Sequence, residues 1–181
     1  MGAAVLAGLV ALVVWLHNRL VRARVRVEEA WAQVATDLQR RHDLIPNLVG
    51  TVANYAAHET AALEEVTRAR AAALTASGPD DRRRAEDALT EALRQLTVRA
   101  EAYPQLRADE RYAALQDELT GTEDRLAFGR DFAIARTAAY HELLGSFPWL
   151  VVARAFRFRR CPSFAVDLPT VRDAPTLGLG S

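Results

Sequence analysis

The chain has 181 residues, half of them hydrophobic and only 7% aromatic, and its formal net charge is zero. This length holds one domain with a sizeable core plus an appendage, and an alanine-rich composition without alternating β-branched runs favours packed helices over a sheet. A neutral chain with small basic patches is not expected to bind nucleic acid. Cys161 is the single cysteine, which excludes an intrachain disulfide and a zinc site built from cysteines of one chain.

The N-terminal stretch predicts a membrane anchor. Residues 2–16 carry no charge, and counted to Val21 the apolar segment extends about 30 Å, one hydrocarbon core. A cleavable signal peptide is the competing interpretation, but no basic residue precedes the run and no A-x-A-like site follows it. We therefore assign residues 1–21 to a transmembrane anchor.

The charges beside this segment predict its orientation. Four arginines follow the apolar run and none precedes it: Arg19, Arg22, Arg24 and Arg26. The positive-inside rule places such a cluster in the cytoplasm. We expect a single-pass protein of the cell (inner) membrane, with the N-terminus outside and residues 22–181 in the cytoplasm.

The architecture depends on what the chain does at Pro46. An amphipathic stripe from Val27 to Ile45 predicts a helix, and a proline in a helix interior costs about 3 kcal/mol. Proline is tolerated in a first turn, and Asp43 is placed to cap a new helix. We predict a tight turn near residues 42–45 and a second helix to about Ala76, with a kink in one long helix as the alternative. The helix-turn motif comprises Leu44, Ile45, Pro46, Asn47 and Leu48.

Two further helices complete the predicted fold. The Ser-Gly-Pro-Asp sequence at 77–80 ends one helix and caps a third over 81–103, and a 3-4 seam over 112–147 predicts a long fourth helix. The predicted class is all-α, with the transmembrane helix continuing into an antiparallel up-and-down four-helix bundle over residues 22–160. Residues 161–181 are expected to form a disordered tail.

Four helices running up and down bring the end of the last one back to the membrane. A basic-aromatic cluster would then lie at the lipid surface, where about 1 kcal/mol per arginine is available against anionic headgroups. Its members are Arg154, Arg157, Arg159 and Arg160, interleaved with Phe156 and Phe158. With only a kink at Pro46, the cluster would instead lie far from the bilayer.

Charged residues in line with apolar ones predict a polar layer inside the bundle. Glu59 and Arg70 fall within about 20° of the apolar stripe of the second helix. Because an unpaired buried charge costs several kcal/mol, we expect such residues to be paired. The predicted layer consists of Arg41, Asp43, Glu59, Arg70, Glu123 and Arg136.

The stretch over residues 40–59, RRHDLIPNLVGTVANYAAHE, resembles the LemA family of bacterial proteins. The match extends from Trp31 through Arg70 and resumes at the Leu-Thr-Gly-Thr-Glu sequence of 119–123 and at Phe147-Pro148, so that the resemblance covers most of residues 27–164. Where the family usually has Glu-Asn, this chain has Glu123-Asp124. The resemblance implies an N-terminal span, a four-helix domain and no established activity.

The sequence contains no phosphate-binding loop, nucleophile elbow or dinucleotide fingerprint, and no pair of histidines at helical ligand spacing. We therefore expect a protein that is not an enzyme and holds no cofactor or metal. The predicted role is a scaffold or membrane-organising module whose partners are membrane lipid and unidentified proteins, with homo-oligomer formation left open. The alternative is a metal- or ligand-binding sensor or enzyme with a polar site around Glu59, Glu123 and His58.

Overall fold

The computed structural model describes residues 1–56 and 58–161. Within these ranges the chain is helical and contains no strand, which confirms the predicted all-α class. The helices are α1 (Gly2–Tyr55), α2 (Thr60–Thr75), α3 (Pro79–Ala100), α4 (Pro104–Arg107), α5 (Glu110–Gly145) and α6 (Trp149–Ala155). Apart from Cys161, the expected tail over 161–181 lies outside the described residues.

Pro46 does not end the first helix, so the predicted turn at residues 42–45 is wrong. Helix α1 continues through Pro46 to Tyr55. The missing amide hydrogen of Pro46 leaves the carbonyl oxygen of His42 without its usual helical donor. Nε of Arg70 donates to that oxygen at 2.7 Å, so a side chain from α2 replaces the lost bond.

The expected helix-turn motif is therefore part of a helix interior. Ile45 and Leu48 are buried, whereas Pro46 and Asn47 are exposed and Leu44 is half-buried. The chain reverses direction after Tyr55, and the second helix begins at Thr60 instead of directly after the proline. The number of long helices is unchanged, because the reversal lies about three turns further along the chain.

Helices α1 and α5 make the most extensive interface in the described structure. The hydroxyl of Tyr55 donates to Oδ2 of Asp109 at 2.6 Å at one end, and Nε1 of Trp31 donates to Oγ1 of Thr137 at 3.2 Å further along. Helix α5 therefore runs back along α1. A Cβ added at Gly129 would lie 3.3 Å from Cγ2 of Val34, so the two helices approach closely there.

Helices α2 and α3 pack against each other and cover the C-terminal part of α1. The apolar residues form two buried clusters. We call the end of the molecule at Tyr55 and Asp109 the distal end, and the end at α6 the proximal end. The cluster nearer the distal end includes Ile45, Val66, Leu89, Leu96, Leu106 and Tyr112. The cluster nearer the proximal end includes Leu16, Leu20, Trp31, Leu126, Ala133 and Tyr140.

The N-terminal part of α1 projects from the proximal end. Residues 2–15 are exposed except for the half-buried Val13, and Leu16 is the first buried residue of the helix. By length and composition this part of α1 qualifies as a membrane span, a test that a signal sequence also passes.

The last described helix lies beside the start of the bundle. The rings of Trp15 and Trp149 are 6.3 Å apart between centroids, and those of His17 and Phe156 are 4.7 Å apart. Phe147, expected in the seam of the fourth helix, is 82% exposed because α5 ends at Gly145 and the chain turns there.

Candidate functional site

A buried guanidinium, that of Arg41, lies between the two apolar clusters. Its Nη1 donates to Oε1 of Glu123 at 2.8 Å and to Oγ1 of Thr90 at 2.9 Å, and its Nη2 contacts the carboxylate of Glu86. Arg41 has no exposed surface, and Glu86 is 3% exposed. A guanidinium removed from water in this way is stable only when its charge is compensated, and two carboxylates provide that compensation.

His42 completes this group from the next position of α1. Its Nε2 lies 3.0 Å from Oε1 of Glu86, so the carboxylate faces Arg41 with one oxygen and His42 with the other. Burial by itself raises the pKa of Glu86. The close contact with His42 and the positive charge of Arg41 outweigh burial, and the pKa of Glu86 lies below the usual carboxyl value. Glu86 is therefore ionised at neutral pH despite its burial.

We call Arg41, His42, Glu86, Thr90 and Glu123 the buried ion network. Its members come from α1, α3 and α5, so a single set of charges joins three helices. Breaking a buried pair by removing one partner typically costs about 3–5 kcal/mol, because an uncompensated charge remains. The arrangement can fix the relative positions of the three helices.

A second polar group lies next to the network on the α1–α5 face. Nε of Arg125 is 3.4 Å from Oδ1 of the buried Asp37, and Nη2 of Arg125 donates to Oγ1 of Thr122 at 2.8 Å. A cleft of about 710 Å³ borders it, with Phe128 and Phe132 on its wall. The ring centroids of these two phenylalanines are 6.2 Å apart.

Of the six residues predicted for the polar layer, the structure brings Arg41 and Glu123 together and distributes the other four. Arg70 serves the carbonyl of His42, as described above. Asp43 is exposed and accepts a hydrogen bond from Gln39. The exposed guanidinium of Arg136 lies 4.6 Å from the ring centroid of Phe132.

Glu59 lies at the distal end, away from the buried ion network. Its Oε2 pairs with Nη1 of Arg99 at 2.9 Å, and its Oε1 accepts a hydrogen bond from Tyr103 at 3.2 Å. This contact joins the start of α2 to the end of α3. Glu59 and Glu123 therefore belong to two different ion pairs, and His58 is exposed. Within the described ranges, no group of three or more His, Cys, Asp or Glu side chains is placed to hold a metal ion.

The sequence reasoning missed Glu86, the carboxylate closest to Arg41. Its position does carry a signal, because Glu86 precedes Leu89, Leu93 and Leu96 at alternating spacings of three and four, and all three leucines are buried. A charge in such a stripe is expected to face a partner across the interface.

The arginines predicted at the membrane surface gather at the proximal end. The guanidinium of Arg19 lies 5.8 Å from the ring centroid of Trp15 and 5.6 Å from that of Trp149. Arg24 pairs with Glu28 at 2.8 Å. The remaining members are exposed: Arg22, Arg26, Arg154, Arg157, Arg159 and Arg160.

The C-terminal arginine cluster is held at this end by its backbone. The hydroxyl of Tyr140 donates to the carbonyl oxygen of Arg159 at 3.1 Å. Arg157 has a φ of 57°, and the amide of Phe158 donates to the carbonyl of Ala153, which closes α6 with a left-handed turn. This turn places the ring of Phe158 with its centroid 5.5 Å from that of His17.

Comparison with known proteins gives one family. The model of the LemA family matches residues 30–178, which is 149 of the 181 residues. The matched range begins within α1 and includes every member of the buried ion network. A search of curated proteins gave no match.

Proposed function

The chain belongs to the LemA family, and from this premise we propose that it is a membrane-anchored helical-bundle protein without catalytic activity. It acts as a scaffold that holds protein partners at a membrane surface or organises that surface. The anchor crosses the inner membrane once, with the N-terminus outside and the bundle in the cytoplasm, as the arginines beside it favour. Helices α1, α2, α3 and α5 form the antiparallel up-and-down bundle.

The observation that carries this proposal is the continuity of α1. The same helix contains the exposed apolar segment and contributes residues to both buried apolar clusters, with no linker between the segment and the bundle. From Leu16 to Tyr55 it extends about 60 Å at 1.5 Å per residue. Such a helix holds the distal end at a fixed distance from the membrane. A fixed distance suits a scaffold better than a flexible tether would.

The pairing of the buried charges supports a structural role over a catalytic one. Arg41, His42 and Glu86 face one another inside the bundle, and their contacts are with other helices. A catalytic group is instead expected to reach a substrate from a cleft. The alternative of a sensor or enzyme around Glu59 and Glu123 has less support, since each of them pairs with a different arginine, Arg99 and Arg41.

Location and orientation can be tested on the full chain with a single reporter thiol. In a Cys161→Ser background, Glu64→Cys places a thiol on the exposed face of α2. We expect the protein to stay in the membrane fraction after alkaline carbonate washing. A membrane-impermeant maleimide should label it in inverted vesicles and not in intact spheroplasts. Release by carbonate, or labelling in intact spheroplasts, would reject the anchored cytoplasmic bundle.

A further inference from the structure

The buried part of α1 begins where α6 packs against it. The residues from Gly2 to Trp15 are apolar and, apart from the half-buried Val13, exposed, whereas Leu16 and Leu20 are buried against the protein. Val152 and Ala153 of α6 belong to the same buried cluster as Leu16 and Leu20. If α1 spans the membrane, α6 therefore lies at the level where the helix passes from lipid to protein.

Helix α6 and the turn before it lie at that level. Beside the paired rings of Trp15 and Trp149, Phe147 is 82% exposed, Val151 60% and Phe156 54%. Tryptophan at the headgroup level and apolar side chains just below it are typical of interfacial segments. In water these side chains would form an uncovered apolar surface.

A cleft opens between the end of α5 and α6 at the same level. Its volume is about 430 Å³, and its wall combines apolar side chains with two guanidinium groups. The apolar members are Leu144, Leu150, Ala153 and Phe158, and the basic members are Arg154 and Arg160. Among the described residues, neither arginine has a carboxylate within ion-pair distance.

We propose that α6 lies in the headgroup layer of the membrane and that this cleft binds the phosphate of an anionic phospholipid. Guanidinium groups bind phosphate through paired hydrogen bonds, and the apolar wall suits the acyl region beside the headgroup. A zwitterionic lipid is a weaker ligand because its own cation competes for the phosphate. The inference rests on the proposed membrane anchoring and adds a lipid class and a binding site to it.

Lipid selectivity tests the cleft on the full-length protein in detergent. Native mass spectrometry measures the retention of added phosphatidylglycerol, phosphatidylcholine or inorganic phosphate. The test variant is Arg154→Gln/Arg160→Gln. The control, Arg68→Gln/Arg107→Gln, removes the same charge from exposed positions nearer the distal end.

We expect wild type and control to retain more phosphatidylglycerol than phosphatidylcholine. The test variant should retain at least about tenfold less phosphatidylglycerol than wild type. Equal retention by both variants, or equal retention of the two lipids by wild type, would overturn the cleft. Binding of inorganic phosphate as tight as that of phosphatidylglycerol would show an anion site that does not recognise lipid.

The depth of α6 is tested in vesicles that contain brominated lipid. Trp15→Phe/Trp31→Phe leaves Trp149 as the only tryptophan, and Trp15→Phe/Trp149→Phe leaves Trp31, which is buried in the bundle; excitation at about 295 nm avoids the tyrosines. We expect quenching of Trp149 and none of Trp31. A chain that is in the membrane with Trp149 unquenched would overturn this inference alone, whereas a chain absent from the membrane would overturn the proposed function as well.

Discussion

Nε of Arg70 donates a hydrogen bond at 2.7 Å to the carbonyl oxygen of His42, the group that Pro46 leaves without a donor. A contact between two helices therefore replaces a bond that the first helix cannot make by itself. This explains how α1 continues through Pro46, although the local sequence predicts that a new helix begins there. It also gives Arg70 a specific partner near the core.

Replacement of Arg70 tests this relationship. Arg70→Ala leaves a part-buried carbonyl without a donor, and we expect the free energy of unfolding to fall by about 1–3 kcal/mol. In a Pro46→Ala background the residue at 46 supplies the amide, so Arg70→Ala should cost clearly less. Denaturant unfolding of the four chains in detergent measures the coupling, with Arg68→Ala as the exposed control. Additive effects of the two substitutions would contradict the replacement of one bond by the other.

The buried ion network predicts a large difference between two glutamates that each pair with an arginine. Glu86→Gln leaves the charge of Arg41 partly uncompensated in the core, and we expect a loss of about 3–5 kcal/mol. Glu118→Gln removes the partner of Arg40 at the surface, where side chains are half-exposed, and should cost about 1 kcal/mol or less. Similar unfolding energies for the two variants would show that the network does not stabilise the fold.

The lowered pKa of Glu86 predicts a dependence of stability on pH. The folded state keeps this carboxylate ionised to a lower pH than the unfolded state does, so its contribution is present above about pH 4.3 and is lost as the pH falls through the folded pKa. The groups that face it, Arg41 and His42, hold it in the ionised form. Thermal unfolding between neutral and acidic pH should show this decline in wild type and a shallower one in Glu86→Gln. Parallel profiles would exclude Glu86 as the titrating group.

Two glycines of α5 predict opposite effects on stability when each is replaced by a residue with a side chain. A Cβ at Gly129 would lie 3.3 Å from Val34, whereas one at Gly121 would lie 3.6 Å from the end of the flexible Arg125 side chain. Gly121→Ala should stabilise by up to about 1 kcal/mol through helix propensity. Gly129→Val should destabilise by about 1–3 kcal/mol, because the α1–α5 contact cannot widen freely. Melting temperatures of the two variants measure this, and a tolerated valine at 129 would argue against the close approach.

The sequence predicts the helical class, the break at residues 77–80 and the long helix of α5, because periodicity and capping residues are local signals. It does not predict the continuity of α1 at Pro46, since the group that makes it tolerable belongs to Arg70 in another helix. The sequence also does not predict the exposed position of Phe147, because a periodic seam does not show where its helix ends.

The sequence predicts only part of the polar layer, because the partner of a buried charge lies on another helix. Arg41 and Glu123 are brought together, but Glu86, the carboxylate closest to Arg41, lies on α3, a helix in which the prediction placed no member of the layer. Glu59 lies in line with an apolar stripe and yet meets Arg99 and Tyr103 at the distal end. Periodicity tells which face a charge occupies, but the partner depends on how the helices are placed along one another.

The continuity of α1 is tested most directly by one distance measured across Pro46. In a Cys161→Ser background, Arg22→Cys and Gly50→Cys place spin labels at two exposed positions of α1, 28 residues apart. A continuous helix gives about 42 Å between the two backbone positions. Double electron–electron resonance on the full chain should show a single narrow distribution near that value. A main population below about 30 Å would show that the chain turns back at the proline.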